Sequence, residues 1–261
     1  MEWMSRFVRI MDTVSEAGPS GLSITALAEK TDITKGSLHR ILHDMMNYDL
    51  IVQHDDTKRY SLGPQSMIWG SRFVNGRDIS DLLGPYCARL SQRVRLYGFL
   101  CRFVANEVYC IYTHQPEQER RTYYVHVGQR MPLHASASAK AILAFQPEDK
   151  IRYLLEQTPR NYFTERTKLN VVDIVEELHE IRRNRIAWCR EEMERGVSAV
   201  AVPIFGQDQT VMFSLSLIGN HDEIMANREK ICQNLLEIEQ VVEQQLRAMQ
   251  SFTSTEGYIG L

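Results

Sequence analysis

The sequence predicts an α+β protein in two parts, an N-terminal winged helix-turn-helix followed by an antiparallel sheet with helices packed on it. Three observations carry this. Three runs with helical spacing and then a hairpin signal fill the stretch up to Leu62. From Tyr97 the text changes to short runs rich in aromatic and β-branched residues, separated by polar turns. Amphipathic helical stretches are set between and after those runs, as in a sheet with helices laid against it.

Taken in order, "RFVRIMDTVSEA" repeats Phe7, Val8, Ile10, Met11 and Val14 at helical spacing, with Ser5 as cap and "GPSG", Gly18 to Gly21, as stop. Ser23 caps "ITALAEKT", "DIT" turns the chain, and Thr34 opens "KGSLHRILHDMMNYDL", whose Leu38, Ile41, Leu42 and Met45 share one face. "IVQHDDTKRYSL" reads as two short strands around Asp55, Asp56 and Thr57, which completes a winged helix-turn-helix over residues 1–63. A connecting segment, 64–95, holds "PQSMIWGSRFVNGR" and a helix capped by Asp78, "ISDLLGPYCARLSQRV", which Pro85 should bend or divide.

The second domain, 96–250, begins with strands "YGFLCRFV", "EVYCIYTH" and "RTYYVHV". After "PLHASASAKAILAF" come helices "EDKIRYLLEQ" and "VVDIVEELHEIRRNR", then strands "IAWCREE", "VSAVAVPIF" and "TVMFSLSLIG", and a last helix from Glu223 to Met249. Residues 251–261 are expected to form a loose tail.

Composition sets limits. The 261 residues are 44% hydrophobic and 24% charged, enough for two cores. No run approaches the roughly 20 apolar residues of a membrane span, and Arg6, Arg9 and Asp12 stand where a secretory signal needs apolar residues. A cytoplasmic protein without membrane contact is expected. Cys87, Cys101, Cys110, Cys189 and Cys232 are odd in number and scattered, so reduced thiols are expected, with no disulfide framework, zinc site or other cofactor. The formal charge of -3 offers no global argument for nucleic acid.

The local argument is stronger. The second helix of a helix-turn-helix enters the major groove by its N-terminal end, so contacts with double-stranded DNA would come from Thr34, Lys35, Gly36, Ser37, His39 and Arg40. Gly36 lets the backbone approach closely, Arg40 can bond guanine or phosphate, and Lys58 and Arg59 suit a wing against the backbone. Against this, residues 1–63 carry seven Lys and Arg and nine Asp and Glu, 7 − 9 = −2, which also fits a winged helix that meets proteins instead.

"SRFVRIMDTV", "LSITALAEKTDITKGSLHRILHDM" and "KRYSLG" resemble the first helix, helix-turn-helix and wing end of the IclR family of bacterial transcriptional regulators. "VGQRMPLHASASAKAILAF" and "CREEMERGVSAVAVPIF" resemble that family's effector-domain signatures, so the likeness spans essentially the whole chain. It implies a regulator, usually a repressor, whose C-terminal domain is related to GAF and PAS sensor folds. It also implies a homodimer or a dimer of dimers that binds operator DNA and responds to a small organic acid or aromatic compound.

The small residues Ala135, Ser136, Ala137 and Ser138 at a helix start would let a carboxylate approach unpaired backbone N–H groups. They equally suit packing of a helix start on a sheet, and the resemblance favours the ligand. The phosphate-loop glycines of G-x-x-x-x-G-K-[ST] are absent, so phosphoryl transfer has no support. Lys140 lies past the first amides and is expected to be structural or solvent-facing. Glu191 and Glu192 are expected to hold the turn at Gly196. The enzymatic alternative would use Cys189 with His134 and a neighbouring glutamate, but nothing marks the thiol as activated.

Departures from the family pattern bear on the ligand. Cys189 stands where the family often has aspartate, Ala199 where it can have cysteine, and Ile218 where the S-x-S-G arrangement has its second serine, leaving Ser216 as the first. The usual glycine before Lys140 is Ala139. With Ser136, Ala137, Ser138, Cys189, Ala199, Ser216 and Ile218 around the effector, the pocket floor is less polar than the family's usual one. That predicts an effector with a carboxylate or carbonyl head and an apolar body.

Overall fold

The computed structural model describes residues 3–74, 79–117, 125–206 and 210–253. It divides into two compact units, Met1–Arg77 and Asp78–Leu261.

In the first unit α1 spans Trp3–Glu16, so Ser5 lies inside the helix instead of capping it. The helix gains its extra turn where Trp3 and Phe7, one turn apart, stack at 5.7 Å. Ser23 caps α2 (Ile24–Thr31) by accepting from the Ala26 amide, and Thr34 caps α3 (Lys35–Asn47) by accepting from the Ser37 amide. Strands β1 (Ile51–Gln53) and β2 (Tyr60–Leu62) pair antiparallel as the wing, and Leu22 bridges to Tyr60. Ile10, Val14, Leu27, Leu38, Leu42 and Ile51 form the buried core. Pro64, whose fixed φ suits a first helical position, opens α4 (Pro64–Val74), so the bridging stretch is itself helical.

In the second unit α5 (Ile79–Val94) runs unbroken through Pro85, which costs it one backbone hydrogen bond but does not divide it. The expected cap Asp78 lies outside the described residues. Strands β3 (Tyr97–Val104), β4 (Glu107–His114), β5 (Arg130–Met131), β6 (Ala187–Arg190), β7 (Val197–Phe205) and β8 (Val211–Asn220) form one antiparallel sheet in the order β5-β4-β3-β8-β7-β6. Side-chain alternation divides its two faces. Phe99, Cys101, Ala199 and Ala201 pack with α6 (Ala137–Leu143), α7 (Glu148–Gln157) and α8 (Val171–Asn184). Leu100, Val200, Val202, Leu215 and Leu217 pack on the opposite face with α5, α9 (His221–Ala226) and α10 (Arg228–Thr253).

Three expectations change. Of "RTYYVHV", 121–124 lie outside the described residues and Val125–Val127 are not strand; pairing resumes only at β5, after Gly128 turns the chain at φ 90°. The single last helix is two, because Asn227 ends α9 and turns its side chain back onto the Glu223 carbonyl at 2.9 Å. Helix α10 continues to Thr253, into the stretch expected as tail.

Candidate ligand cleft and DNA-facing surface

At the start of α3, Thr34 Oγ1 donates to Ser37 Oγ at 3.1 Å, so these two hydroxyls organise the helix end. Lys35, Gly36, His39 and Arg40 are exposed beyond them. His43, exposed one turn after His39 on the same face, was missed by the sequence reading although its i+4 spacing could have flagged it. On the wing Lys58 is exposed at φ 54°, while Arg59 spends one guanidinium N–H on the Gly21 carbonyl at 3.3 Å, tying the hairpin to the turn before α2.

In the second unit, register assembles a cleft. Cys189 on β6 faces Ala199 on β7, which faces Ile218 on β8, so three neighbouring strands offer these side chains as one floor. Ser136 and Ala137 close it from the start of α6, and Phe99, Met131 and Met193 add apolar walls around a cavity of about 120 Å³. Apolar side chains dominate the lining, as they do in small-molecule pockets. Ser136 accepts from the Ala139 amide as N-cap. The amides of Ala137 and Ser138, in the first turn, have no acceptor within the helix.

Two of the seven residues expected at a ligand stand behind this wall. Ser138 is fully buried, its Oγ 2.6 Å from Ser136 Oγ, because the first turn of α6 rotates it toward the sheet. Ser216 sits two residues before Ile218 on the same face of β8, between Phe99 and Ala201, and is fully buried. Met131, Met193 and Phe99, which the sequence reading missed, take their places in the lining. Met193 lies inside "CREEMERG", between the paired acids and the turn at Gly196.

Lys140 is structural and not solvent-facing: fully buried, it reaches Glu192 and Glu177, both at 2.8 Å. Burial opposes its charge, but Glu192 and then Glu177 outweigh burial and hold the ammonium above its ordinary pKa. Only one acid of the pair holds the following turn. Glu191 accepts from the Gly196 amide at 2.8 Å, whereas Glu192 turns inward to Lys140. Burial pushes the Cys189 thiol up to about 11, so it is protonated at neutral pH and a poor nucleophile. His134 lines a different cleft from Cys189. Among the described residues no cluster of ligating side chains could hold a metal, and no helix is long and apolar enough to cross a membrane.

A winged helix-turn-helix in the same chain as an antiparallel-sheet unit with such a cleft is the make-up of a DNA-binding transcriptional regulator. Residues 4–55 match the IclR helix-turn-helix domain and residues 71–244 match the bacterial transcriptional regulator IclR C-terminal domain. The chain belongs to the IclR family. It is 27% identical over 229 residues to the Pca operon regulatory protein of Acinetobacter baylyi, covering 87% of this chain and 81% of that one. It is 26% identical over 200 residues to the HTH-type transcriptional regulator KdgR of Escherichia coli, covering 75% and 74%. Its fold matches the crystal structure of Thermotoga maritima IclR with TM-score 0.75 at 24% identity, covering 94% of this chain and 98% of that one. It also matches an IclR homolog of Microbacterium hydrocarbonoxydans complexed with 4-hydroxybenzoate, with TM-score 0.79 at 21% identity, covering 95% and 100%.

Proposed function

We propose that this chain is an effector-controlled repressor that acts in the cytoplasm without catalysis. Residues 1–63 read operator DNA through Thr34, Lys35, Gly36, Ser37, His39 and Arg40, with the wing of Lys58 and Arg59 on the backbone. The segment 64–95 connects them to a sensing domain, 96–250. The working unit is a homodimer or a dimer of dimers, since two winged helices read two half-sites.

The effector is an organic acid or carbonyl compound with an apolar body. The observation that carries this reading is the make-up of the cleft, where Ser136 and the first α6 amides meet a floor of Cys189, Ala199 and Ile218 and walls of Phe99, Met131 and Met193. The polar end suits a carboxylate or carbonyl oxygen, and the rest suits a ring or alkyl chain. The 4-hydroxybenzoate complex of the Microbacterium relative is in keeping with that chemistry. The effector shifts DNA affinity only by the factor with which it discriminates the DNA-competent state, and DNA shifts effector affinity by the same factor.

Calorimetry with benzoate-type and short hydrophilic acids, on the parent and on Ala199→Phe, tests the cleft. Aromatic acids should bind the parent and not the variant; binding of only small hydrophilic acids, or undiminished binding to the variant, would overturn the assignment. Gel shifts with the DNA upstream of the gene test the rest, and a chain without salt-sensitive DNA binding is not such a regulator.

A further inference from the structure

A cavity of about 120 Å³ leaves the cleft little slack, so the place of each wall decides what fits. Most of the walls are strand or helix. Met193 and Glu194 differ, because they come from the turn 191–196 between β6 and β7. Glu191 opens that turn at φ 58° and Gly196 closes it at φ 76°. Left-handed backbone is unfavourable for a glutamate, so the turn depends on what holds it from outside.

Two elements hold it. From the segment before α8, the Thr164 and Thr167 hydroxyls donate to the carbonyls of Glu191 and Glu192 at 2.7 and 2.6 Å, and Arg166 lies 2.6 Å from the Glu191 carboxylate. On the other side stands His221, the first residue of α9, whose place is set because Asn220 caps that helix by accepting from the Glu223 amide at 3.2 Å. The His221 amide donates to the Gly196 carbonyl at 2.8 Å. Its ring Nδ1 lies 2.8 Å from the hydroxyl of Ser198, which is fully buried at the start of β7, and its Nε2 faces the Glu191 carboxylate at 3.7 Å. The shorter contact is a hydrogen bond and the longer one is only electrostatic. One ring thus spans both ends of the turn while standing outside the lining of the cleft.

We propose that His221 is a positioning residue for the cleft: through Ser198, Gly196 and Glu191 it sets where Met193 stands in the wall, and with that the width of acid the cleft accepts. This rests on the reading of the cleft as the effector site. The backbone bond to Gly196 survives a change of side chain and the ring contacts do not, so replacing the ring loosens the turn and leaves α9 in place.

The test uses the full chain with 13C-labelled methionine methyls and two probes, benzoate and the wider 2-naphthoate. In His221→Phe and in Ser198→Ala the Met193 methyl resonance should move toward that of free methionine, while the methyl of Met131, on another wall of the same cleft, stays put. The ratio of 2-naphthoate to benzoate affinity should rise about tenfold in both variants. His221→Asn, whose amide can take the place of Nδ1 against Ser198, should bring the resonance and the ratio back toward the parent. An unchanged ratio, a Met193 methyl that does not move, or a shift shared by every methionine methyl, which marks general destabilisation, overturns the proposal. If the parent binds neither acid, the effector reading of the cleft is what fails, and the Met193 methyl alone decides the role of His221.

Discussion

The ammonium of Lys140 lies 2.8 and 2.9 Å from the two carboxylate oxygens of Glu192, with the lysine wholly removed from water and the carboxylate nearly so. The pair bridges α6 to the turn after β6, next to the cleft floor at Cys189. Removing one partner strands the other's charge in the interior. Lys140→Met should therefore cost about 3–5 kcal/mol in urea unfolding of the second unit. Lys140→Met combined with Glu192→Leu should recover most of that, because Glu177 keeps Lys168 at 2.9 Å. Equal losses in the single and double variants would mean that the pair is not the stabilising element.

This contact also shows where sequence reading ends. The caps Ser23 and Thr34 were legible because each bonds an amide three residues on, and "VSAVAVPIF" and "EDKIRYLLEQ" were legible because period and flanking residues agree. The fate of Lys140 was not, since its partners lie 37 and 52 residues away and only tertiary packing brings them together. The same holds within the candidate cleft. Cys189, Ala199 and Ile218 become neighbours through strand register, and of the two hydrogen-bonded serines at the start of α6 only Ser136 lines the cleft, Ser138 being shut behind it.

Stability should depend on pH through Glu239 on α10. Its carboxylate is almost wholly buried, and burial outweighs the attraction of Arg185 at 2.9 Å, raising its pKa from 4.5 to about 7. The folded state then binds a proton that the unfolded chain has released, so stability falls as pH rises from 4.5 to about 7 and levels off above that. Glu239→Gln should flatten this slope in urea titrations between pH 5 and 8 and exceed the parent's stability at pH 8. An unchanged slope would show that other groups carry the dependence.

Gly63, just past the wing, is held by sterics and not by an unusual φ. A Cβ there would lie 2.2 Å from the Asp49 carbonyl oxygen and 2.9 Å from the Ile51 amide, both backbone atoms that cannot swing aside. Gly63→Ala should destabilise the winged helix by at least 1–3 kcal/mol on the order-of-magnitude scale of overpacking. Proteolysis should then cleave the first unit faster while the second resists as before. Equal resistance in both would mean that β2 shifts without cost.

Replacing Arg40 and Arg59 in turn should separate DNA contact from wing construction. Arg40 is exposed on α3, one residue after His39, while Arg59 already donates to the Gly21 carbonyl. Arg40→Ala should weaken operator binding and leave the unfolding midpoint and the effector response unchanged. If Arg40 meets a phosphate, the slope of log affinity against log salt should shrink by about 0.9 per protomer, uniformly across operator variants. If it reads guanine, the slope should hold while discrimination at one base pair per half-site collapses. Arg59→Ala should lower both affinity and the melting midpoint of the first unit, because it frees the hairpin from the turn at Gly21. Unchanged affinity in Arg40→Ala would move the recognition surface away from the start of α3, with His43 as the next side chain to replace.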